Sequence, residues 1–160
     1  MQDLTKAPPK LDKTRRLLLN VTACLLMTPA AADNSDTPKR VKTGYIDTTG
    51  RTEVSCSEID QGSAMVALAF GQSNSGNNGE SLLKAKGPVY NLYDGKCYIA
   101  EDPMLWASGK RGSVWTRLGD DLVESGPYSS VLFVTIGIGG TEVARWAPSG
   151  DLFHRIEKAK

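Results

Sequence analysis

A serine stands just past the end of a short apolar run, where its hydroxyl could act as a nucleophile. The run spans residues 64–70, is closed by Gly71 and is followed by Ser73. Its length and the glycine after it predict a β-strand that is covered on both faces. Open α/β proteins bind ligands at the carboxyl ends of such strands, so Ser73 is expected to be exposed there. It could attack an acyl carbonyl if a base removed its proton.

Backbone N–H groups are expected to surround that hydroxyl. Gly71 permits a sharp turn, and Ser73 with the residues after it is predicted to begin a helix, whose first N–H groups can bind negative charge. A second apolar run at residues 131–136 ends at Gly137. The oxyanion that develops during acyl transfer would find such donors in place. A simpler interpretation is also open, in which Ser73 only caps a helix.

The elements that would position these residues are those of an α/β fold. A helix is predicted at residues 113–124, where apolar residues recur every three or four positions, Ser113 can cap the start and a Gly-Pro pair stops it. Two buried runs on either side of this helix predict a parallel sheet. Residues 89–100 alternate aromatic and polar residues around Asp94-Gly95, which predicts a β-hairpin with a type I′ turn beside the main layer.

The residues around Ser73 resemble the first sequence block of the SGNH hydrolases, in the form found in the sialate O-acetylesterase-like carbohydrate esterases. The matching stretch is Phe70-Gly-Gln-Ser-Asn74, in which strand, turn and polar loop occur in order. The stretch Ile138-Gly-Gly-Thr141 is similar to the region of the second block in bacterial members. The resemblance covers approximately residues 60–157.

The resemblance implies a fold and an activity. The fold would be a three-layer α/β/α sandwich, the flavodoxin-like SGNH hydrolase fold, incomplete at the C-terminus. The activity would be that of a serine esterase that removes acyl groups, with acetyl expected, from carbohydrate hydroxyls. Ser73 would be the nucleophile, the N–H groups of Ser73 and Gly140 would form the oxyanion hole, and Gln72 and Asn74 would contact the substrate. Gly139 is the close alternative to Gly140. The implied partner is an acylated carbohydrate or another small ester, and no cofactor is implied.

The general base that Ser73 needs is not apparent. In SGNH proteins it comes from an Asp-x-x-His well downstream of the second block. Asp151-Leu-Phe-His154 has that spacing, but it lies a few residues after the second block on a predicted amphipathic helix, so His154 is predicted to be a surface residue. The chain is therefore predicted to be the N-terminal part of a longer hydrolase and to be inactive without the downstream Asp and His. An exported, non-catalytic carbohydrate-binding or structural protein on an SGNH scaffold stays open as the alternative.

Residues 1–32 have the features of a secretory signal peptide. A basic segment is followed by an apolar one, and small residues at 29–32 predict cleavage after Ala32 and a secreted or periplasmic protein. The stretch that ends at Cys24 resembles a lipobox, although the apolar run continues past that cysteine, so a lipoprotein is the less favoured interpretation. Residues 33–44 are predicted to be a flexible leader, and residues 45–160 are predicted to be the N-terminal part of an SGNH hydrolase domain.

Two cysteines, Cys56 and Cys97, remain after the signal peptide. In an oxidising compartment they could form a disulfide, or they could be two unrelated buried thiols. Two residues that follow the glycines at 137–140 each have two possible roles. Trp146 could belong to the core or line a pocket, and Arg145 could orient a polar substrate or be solvated.

Composition and the remaining motifs exclude several classes of function. A chain of 160 residues with a net charge of +1 has no long-range electrostatic field that would attract nucleic acids or anionic membranes. No apolar run approaches the roughly 20 residues that span a bilayer. No cysteine and histidine cluster has metal-ligand spacing. Gly137-Ile-Gly-Gly140 does not fit a dinucleotide loop, because Glu142 holds the third glycine position.

Overall fold

A five-stranded mixed sheet with the strand order β1-β4-β3-β5-β2 carries the fold. The computed structural model describes residues 43–59 and 62–160. The predicted signal peptide, the lipobox and residues 33–42 of the leader lie outside this part of the chain. β2 and β3 run parallel to β5, whereas β4 is antiparallel to both β3 and β1. The strands are β1 Glu53–Val54, β2 Ala64–Ala69, β3 Val89–Tyr93, β4 Lys96–Ile99 and β5 Ser130–Thr135.

One α-helix packs on each face of this sheet. On one face, α1 (Trp115–Ser125) contacts the cluster that contains Phe133, and on the other, α2 (Phe153–Lys158) extends from the cluster that contains Val134. Successive residues of a strand point to opposite faces, so β5 supplies the centre of both cores. The α/β class is confirmed. Short 3-10 helices lie at Cys56–Glu58, Ser73–Ser75 and Val143–Trp146.

The predicted hairpin is confirmed, but it belongs to the main sheet and does not lie beside it. Tyr93 pairs with Lys96 across the turn, and Asp94 and Gly95 have φ angles of 50° and 74°. Positive φ at both central positions is the requirement of a type I′ turn. Because β3 also pairs with β5, the sheet is mixed, and the prediction of a parallel sheet holds only for β2, β5 and β3.

The prediction that the apolar run at 64–70 is covered on both faces is wrong. β2 is an edge strand of the sheet, and Val66, Leu68 and Phe70 are exposed on one face, with Val66 68% accessible. Ala67 and Met65, on the opposite face, pack towards α1. The apolar composition of the strand therefore reflects strand propensity and one buried face rather than a position in the centre of the sheet.

A buried arginine fastens α2 to the segment that precedes α1. Arg155 donates hydrogen bonds to the carbonyl oxygens of Ile136 and Trp106, and its guanidinium lies 5.1 Å from the centroid of the Trp106 ring. Burial lowers the pKa of Arg155 to about 10. The segment around Trp106 in turn pairs with the start of the described chain, since Tyr45 N–H donates to Ala107 O. Gly44, assigned to the leader from the sequence, is buried.

Cys56 and Cys97 form a disulfide, with a Cα–Cα distance of 5.3 Å. The bond closes a chain segment with a sequence separation of 41 residues and fastens the 3-10 helix after β1 to β4. We expect the double variant Cys56→Ala, Cys97→Ala to lose about 2–4 kcal/mol in the free energy of unfolding, because the unfolded chain gains freedom. Urea titration measures this loss. Reduction of the unmodified protein should give a similar loss, and equal midpoints with and without the bond would contradict the prediction.

No helix in residues 43–59 and 62–160 is both long and apolar enough to cross a bilayer.

Candidate functional site

Ser73 lies where the sequence predicts it, in the loop that leaves the carboxyl end of β2. It is exposed and begins a single 3-10 turn, Ser73–Ser75. Gly71 precedes the turn with a φ of 124°, which other residues rarely adopt. The expectation that a helix begins here is wrong, because the turn ends after three residues. The turn therefore offers individual backbone N–H groups, without the dipole of a long helix.

Ser75 and Trp115 hold this turn in shape. Both the N–H and the Oγ of Ser75 donate to Gln72 O, at 3.0 and 2.7 Å. Trp115, the first residue of α1, donates from Nε1 to Ser75 O at 3.1 Å. The turn is thus fixed both to itself and to the helix beneath it. The side chains of Gln72 and Asn74, which are exposed, make no hydrogen bond within the described ranges, so the turn is held by the Gln72 carbonyl and not by these side chains.

Asn77 anchors the chain after the turn. It is 1% exposed, its Nδ2 donates to the carbonyls of Met104 and Ala107, and its Oδ1 accepts the Met104 N–H. A buried amide with three satisfied hydrogen bonds holds one geometry, because any shift would leave polar atoms unpaired. Asn78 adds a bond from its Nδ2 to Ser73 O at 2.8 Å. Residues 72–78 are therefore a preorganised segment and not a mobile loop.

The glycine loop after β5 lies beside this turn. The two strands stay paired past their ends, since Ile136 N–H donates to Ala69 O and Ile138 N–H donates to Gly71 O. At Gly139 the position that a Cβ would occupy is 3.8 Å from Ser73 Cα. The two loops that the sequence predicts to share the nucleophile and the oxyanion donors are thus adjacent.

The two candidate glycines differ in their N–H groups. Gly139 N–H donates to Ser108 Oγ at 2.7 Å, so it is already occupied. Gly140 has a φ of 75°, and neither its N–H nor that of Ser73 has a hydrogen-bond partner in the part of the chain that the structure describes. Two free N–H groups on adjacent loops are what an oxyanion hole requires.

A groove opens next to these two loops. It has a volume of about 690 Å³ and contains both charged and apolar side chains, among them Asp47, Lys110 and Ile46. Two of its lining residues lie next to Ser73: Asn78, which donates a hydrogen bond to Ser73 O, and Gly139, where an added Cβ would be 3.8 Å from Ser73 Cα. Its wall is made of residues 43–47, Asn78, residues 108–110 and Gly139. The start of the described chain therefore contributes to the site, which the sequence did not indicate.

Asp151 and His154 do not form a carboxylate–imidazole pair. The Asp151 carboxylate accepts two hydrogen bonds from Arg145, at 2.8 and 2.6 Å, whereas His154 Nδ1 lies 2.8 Å from the backbone oxygen of Asp151. The bond from Arg145 lowers the pKa of the Asp151 carboxyl, and the same bond raises the pKa of Arg145. His154 is exposed on α2, as predicted, and Arg145 is occupied by an ion pair.

Trp146 belongs to the core and not to the groove. It is 6% exposed, its ring lies 5.8 Å from that of Phe70, and its Nε1 donates to Thr141 Oγ1 at 3.0 Å. Thr141 Oγ1 donates in turn to Ile138 O. This chain of bonds fixes the far end of the glycine loop.

Sequence reasoning missed the residues that hold the site together. Ser108, Asn77 and Trp115 all act through hydrogen bonds to residues that are distant in the sequence, and no periodicity marks such contacts. Asn77 follows Ser73 closely in the sequence and is the one that polar spacing could have indicated. Within the described ranges, no group of three or more acidic, histidine or cysteine side chains is placed to hold a metal ion.

No protein-family model matches this chain, and no curated protein matches it.

Proposed function

We propose that this protein is a serine esterase of the SGNH type that removes acyl groups, with acetyl expected, from carbohydrate hydroxyls. The observation that carries the proposal is the position of Ser73. Its hydroxyl is exposed on a rigid turn, and the free N–H groups of Ser73 and Gly140 lie on adjacent loops. A hydroxyl beside free backbone donors is the arrangement that acyl transfer uses.

The reaction would proceed through an acyl-enzyme. Ser73 Oγ attacks the ester carbonyl carbon while its proton passes to a general base, and the carbonyl oxygen becomes an oxyanion that accepts hydrogen bonds from the Ser73 and Gly140 N–H groups. Collapse of this intermediate breaks the ester bond, and the sugar hydroxyl leaves with the proton. Water then hydrolyses the acyl-serine by the same steps. The resemblance assigns the base to a later Asp-x-x-His and not to His154, whose Nδ1 lies beside the backbone oxygen of Asp151 and not beside its carboxylate.

The size and lining of the groove support a carbohydrate as the alcohol part of the substrate. A volume of about 690 Å³ lies in the range of pockets that hold whole small molecules, and it is far larger than an acetyl group needs. The glycine-rich wall offers backbone polar groups, and Asp47 and Lys110 add one charge of each sign. A sugar, which is rich in hydroxyls and carries apolar C–H faces, fits such a lining.

The finer description of the fold is part of the same proposal. Helices on both faces of a sheet in which β3, β5 and β2 run parallel support a three-layer α/β/α sandwich of the SGNH type. The disulfide supports an exported protein, since such bonds persist in oxidising compartments.

The second candidate is a carbohydrate-binding protein on the same scaffold. It is favoured by the pairing of the Asp151 carboxylate with Arg145, which leaves His154, the single histidine of the sequence, without a carboxylate partner among the residues that the structure describes. A serine without a base would be a weak nucleophile, but the groove could still bind a sugar.

A phosphonyl fluoride distinguishes the two candidates. In the complete protein, as its gene encodes it, an activated Ser73 is expected to displace fluoride and retain one phosphonyl group, which tandem mass spectrometry of peptides locates. Heat-denatured protein is the control and should remain unlabelled. Xylose tetraacetate is expected to be hydrolysed, which acetate release measures. As a competing substrate it should also slow the labelling of Ser73. If Ser73 carried no label but the protein still bound the same sugar ester, the esterase hypothesis would be rejected in favour of the carbohydrate-binding protein.

A further inference from the structure

Ser108 forms hydrogen bonds both to the segment 72–78 that carries Ser73 and to the glycine loop. It is buried, with 5% of its surface exposed. Its N–H donates to Gly137 O at 2.8 Å, and its carbonyl oxygen accepts the Asn77 N–H at 2.7 Å. Its Oγ accepts the Gly139 N–H at 2.7 Å. The residue thus uses its donor, its carbonyl and its hydroxyl to fasten two loops that are distant in sequence.

The bond to Gly139 determines which glycine can serve the reaction. A hydrogen bond at 2.7 Å directs the Gly139 N–H towards Ser108, so this donor is not free to bind an oxyanion on Ser73. Fixing that peptide also restrains the next one, whose N–H belongs to Gly140. The groups meet within a small space, since the Cβ position at Gly139 is 3.5 Å from Ser108 Oγ and 3.8 Å from Ser73 Cα.

We propose that Ser108 is a positioning residue of the esterase site, which holds the Gly139 N–H and so fixes the Gly140 N–H as the second oxyanion donor beside Ser73. This inference rests on the proposed function. Oxyanion donors act through preorganisation, because they must already point at the developing charge and not turn towards it during the reaction. A donor whose peptide is free to rotate would lose part of that effect in the transition state and little in the binding of the substrate.

The side chain can be tested separately from the backbone. Ser108→Ala keeps the two backbone bonds to Gly137 and Asn77 and removes only the bond to Gly139. In the complete protein, we expect kcat for xylose tetraacetate to fall about 10- to 100-fold while KM stays within about twofold. Ser108→Thr retains the oxygen and is expected to restore most of kcat.

A matched control separates positioning from stability. Asp120 accepts the N–H groups of Lys86 and Gly87 through its carboxylate, and none of these residues lines the groove. Asp120→Ala therefore also removes side-chain bonds to backbone N–H groups, but it should leave kcat within about twofold. Urea titration of each variant shows whether it is folded under the assay conditions.

Amide hydrogen exchange measured by NMR gives a readout that does not depend on turnover. In the unmodified protein the Gly139 N–H should exchange slowly and the Gly140 N–H rapidly, and Ser108→Ala should accelerate exchange at Gly139 about 10-fold or more. An unchanged kcat in Ser108→Ala, or a Gly139 N–H that is unprotected in the unmodified protein, overturns the inference while the esterase stands. If the unmodified protein shows no turnover that depends on Ser73, the proposed function fails, and the role of Ser108 in catalysis fails with it.

Discussion

Replacing Ser73 with alanine is expected to lower kcat/KM for ester hydrolysis by roughly 10³-fold or more in the complete protein, because no acyl-enzyme can form. The fold should not change. The Ser73 hydroxyl makes no hydrogen bond within the described ranges, whereas its carbonyl accepts the Gly76 N–H and the Asn78 side chain, and alanine keeps that carbonyl. The free energy of unfolding should therefore stay within about 0.5 kcal/mol of the original value. Acetate release from xylose tetraacetate and urea titration measure the two quantities.

Ser149→Ala is the matched control for this variant. Ser149 is also an exposed serine, but it lies between the 3-10 helix Val143–Trp146 and α2, and it does not line the groove beside Ser73. Both quantities should remain unchanged in this control. Turnover that survives in Ser73→Ala would remove the nucleophile from the proposal, and a large loss in Ser149→Ala would show that the assay responds to something other than the site.

The parts of the fold that local sequence determines were predictable. The type I′ hairpin follows from Asp94-Gly95 between alternating residues, because few residue pairs accept positive φ twice in succession. The helix predicted at 113–124 corresponds to α1, and its end at Ser125 is explained by Gly126 and the proline after it. The exposed position of Ser73 at the end of β2 was also predictable from local sequence, because an apolar strand, a glycine and a polar turn follow one another along the chain.

The parts that depend on distant contacts were not predictable. β2 contains a continuous apolar run, yet Val66 is exposed, because the position of a strand within a sheet is set by its neighbours and not by its own composition. The sequence shows that two cysteines, Cys56 and Cys97, remain after the predicted signal peptide. Their Cα–Cα distance of 5.3 Å, however, depends on the pairing of β1 with β4. Ser108 has no local signal at all, since its partner Gly139 is 31 residues away.

Adding a side chain at Gly137 is expected to lower both the stability of the protein and its activity. A Cβ at this position would lie 2.1 Å from Ser75 Oγ and 2.7 Å from Ser75 O. Ser75 cannot move aside freely, because it is bonded to Gln72 and to the Trp115 side chain. We therefore expect Gly137→Ala to lower the free energy of unfolding by about 1–3 kcal/mol. Displacement of the Ser73 turn should also lower kcat/KM about 10²-fold.

Gly139→Ala tests whether this effect comes from the contact with Ser75 or from the loss of any glycine in the loop. The nearest atoms to a Cβ at Gly139 are 3.5 and 3.8 Å away, which are ordinary van der Waals distances, so the stability of this variant should be close to that of the original protein. Adding Ser75→Gly to Gly137→Ala removes the collision with the hydroxyl but not the one with the backbone oxygen, and only part of the stability should return. If Gly137→Ala and Gly139→Ala were equally stable in urea titration, the close approach of Ser75 to Gly137 would not be what holds the Ser73 turn against the glycine loop.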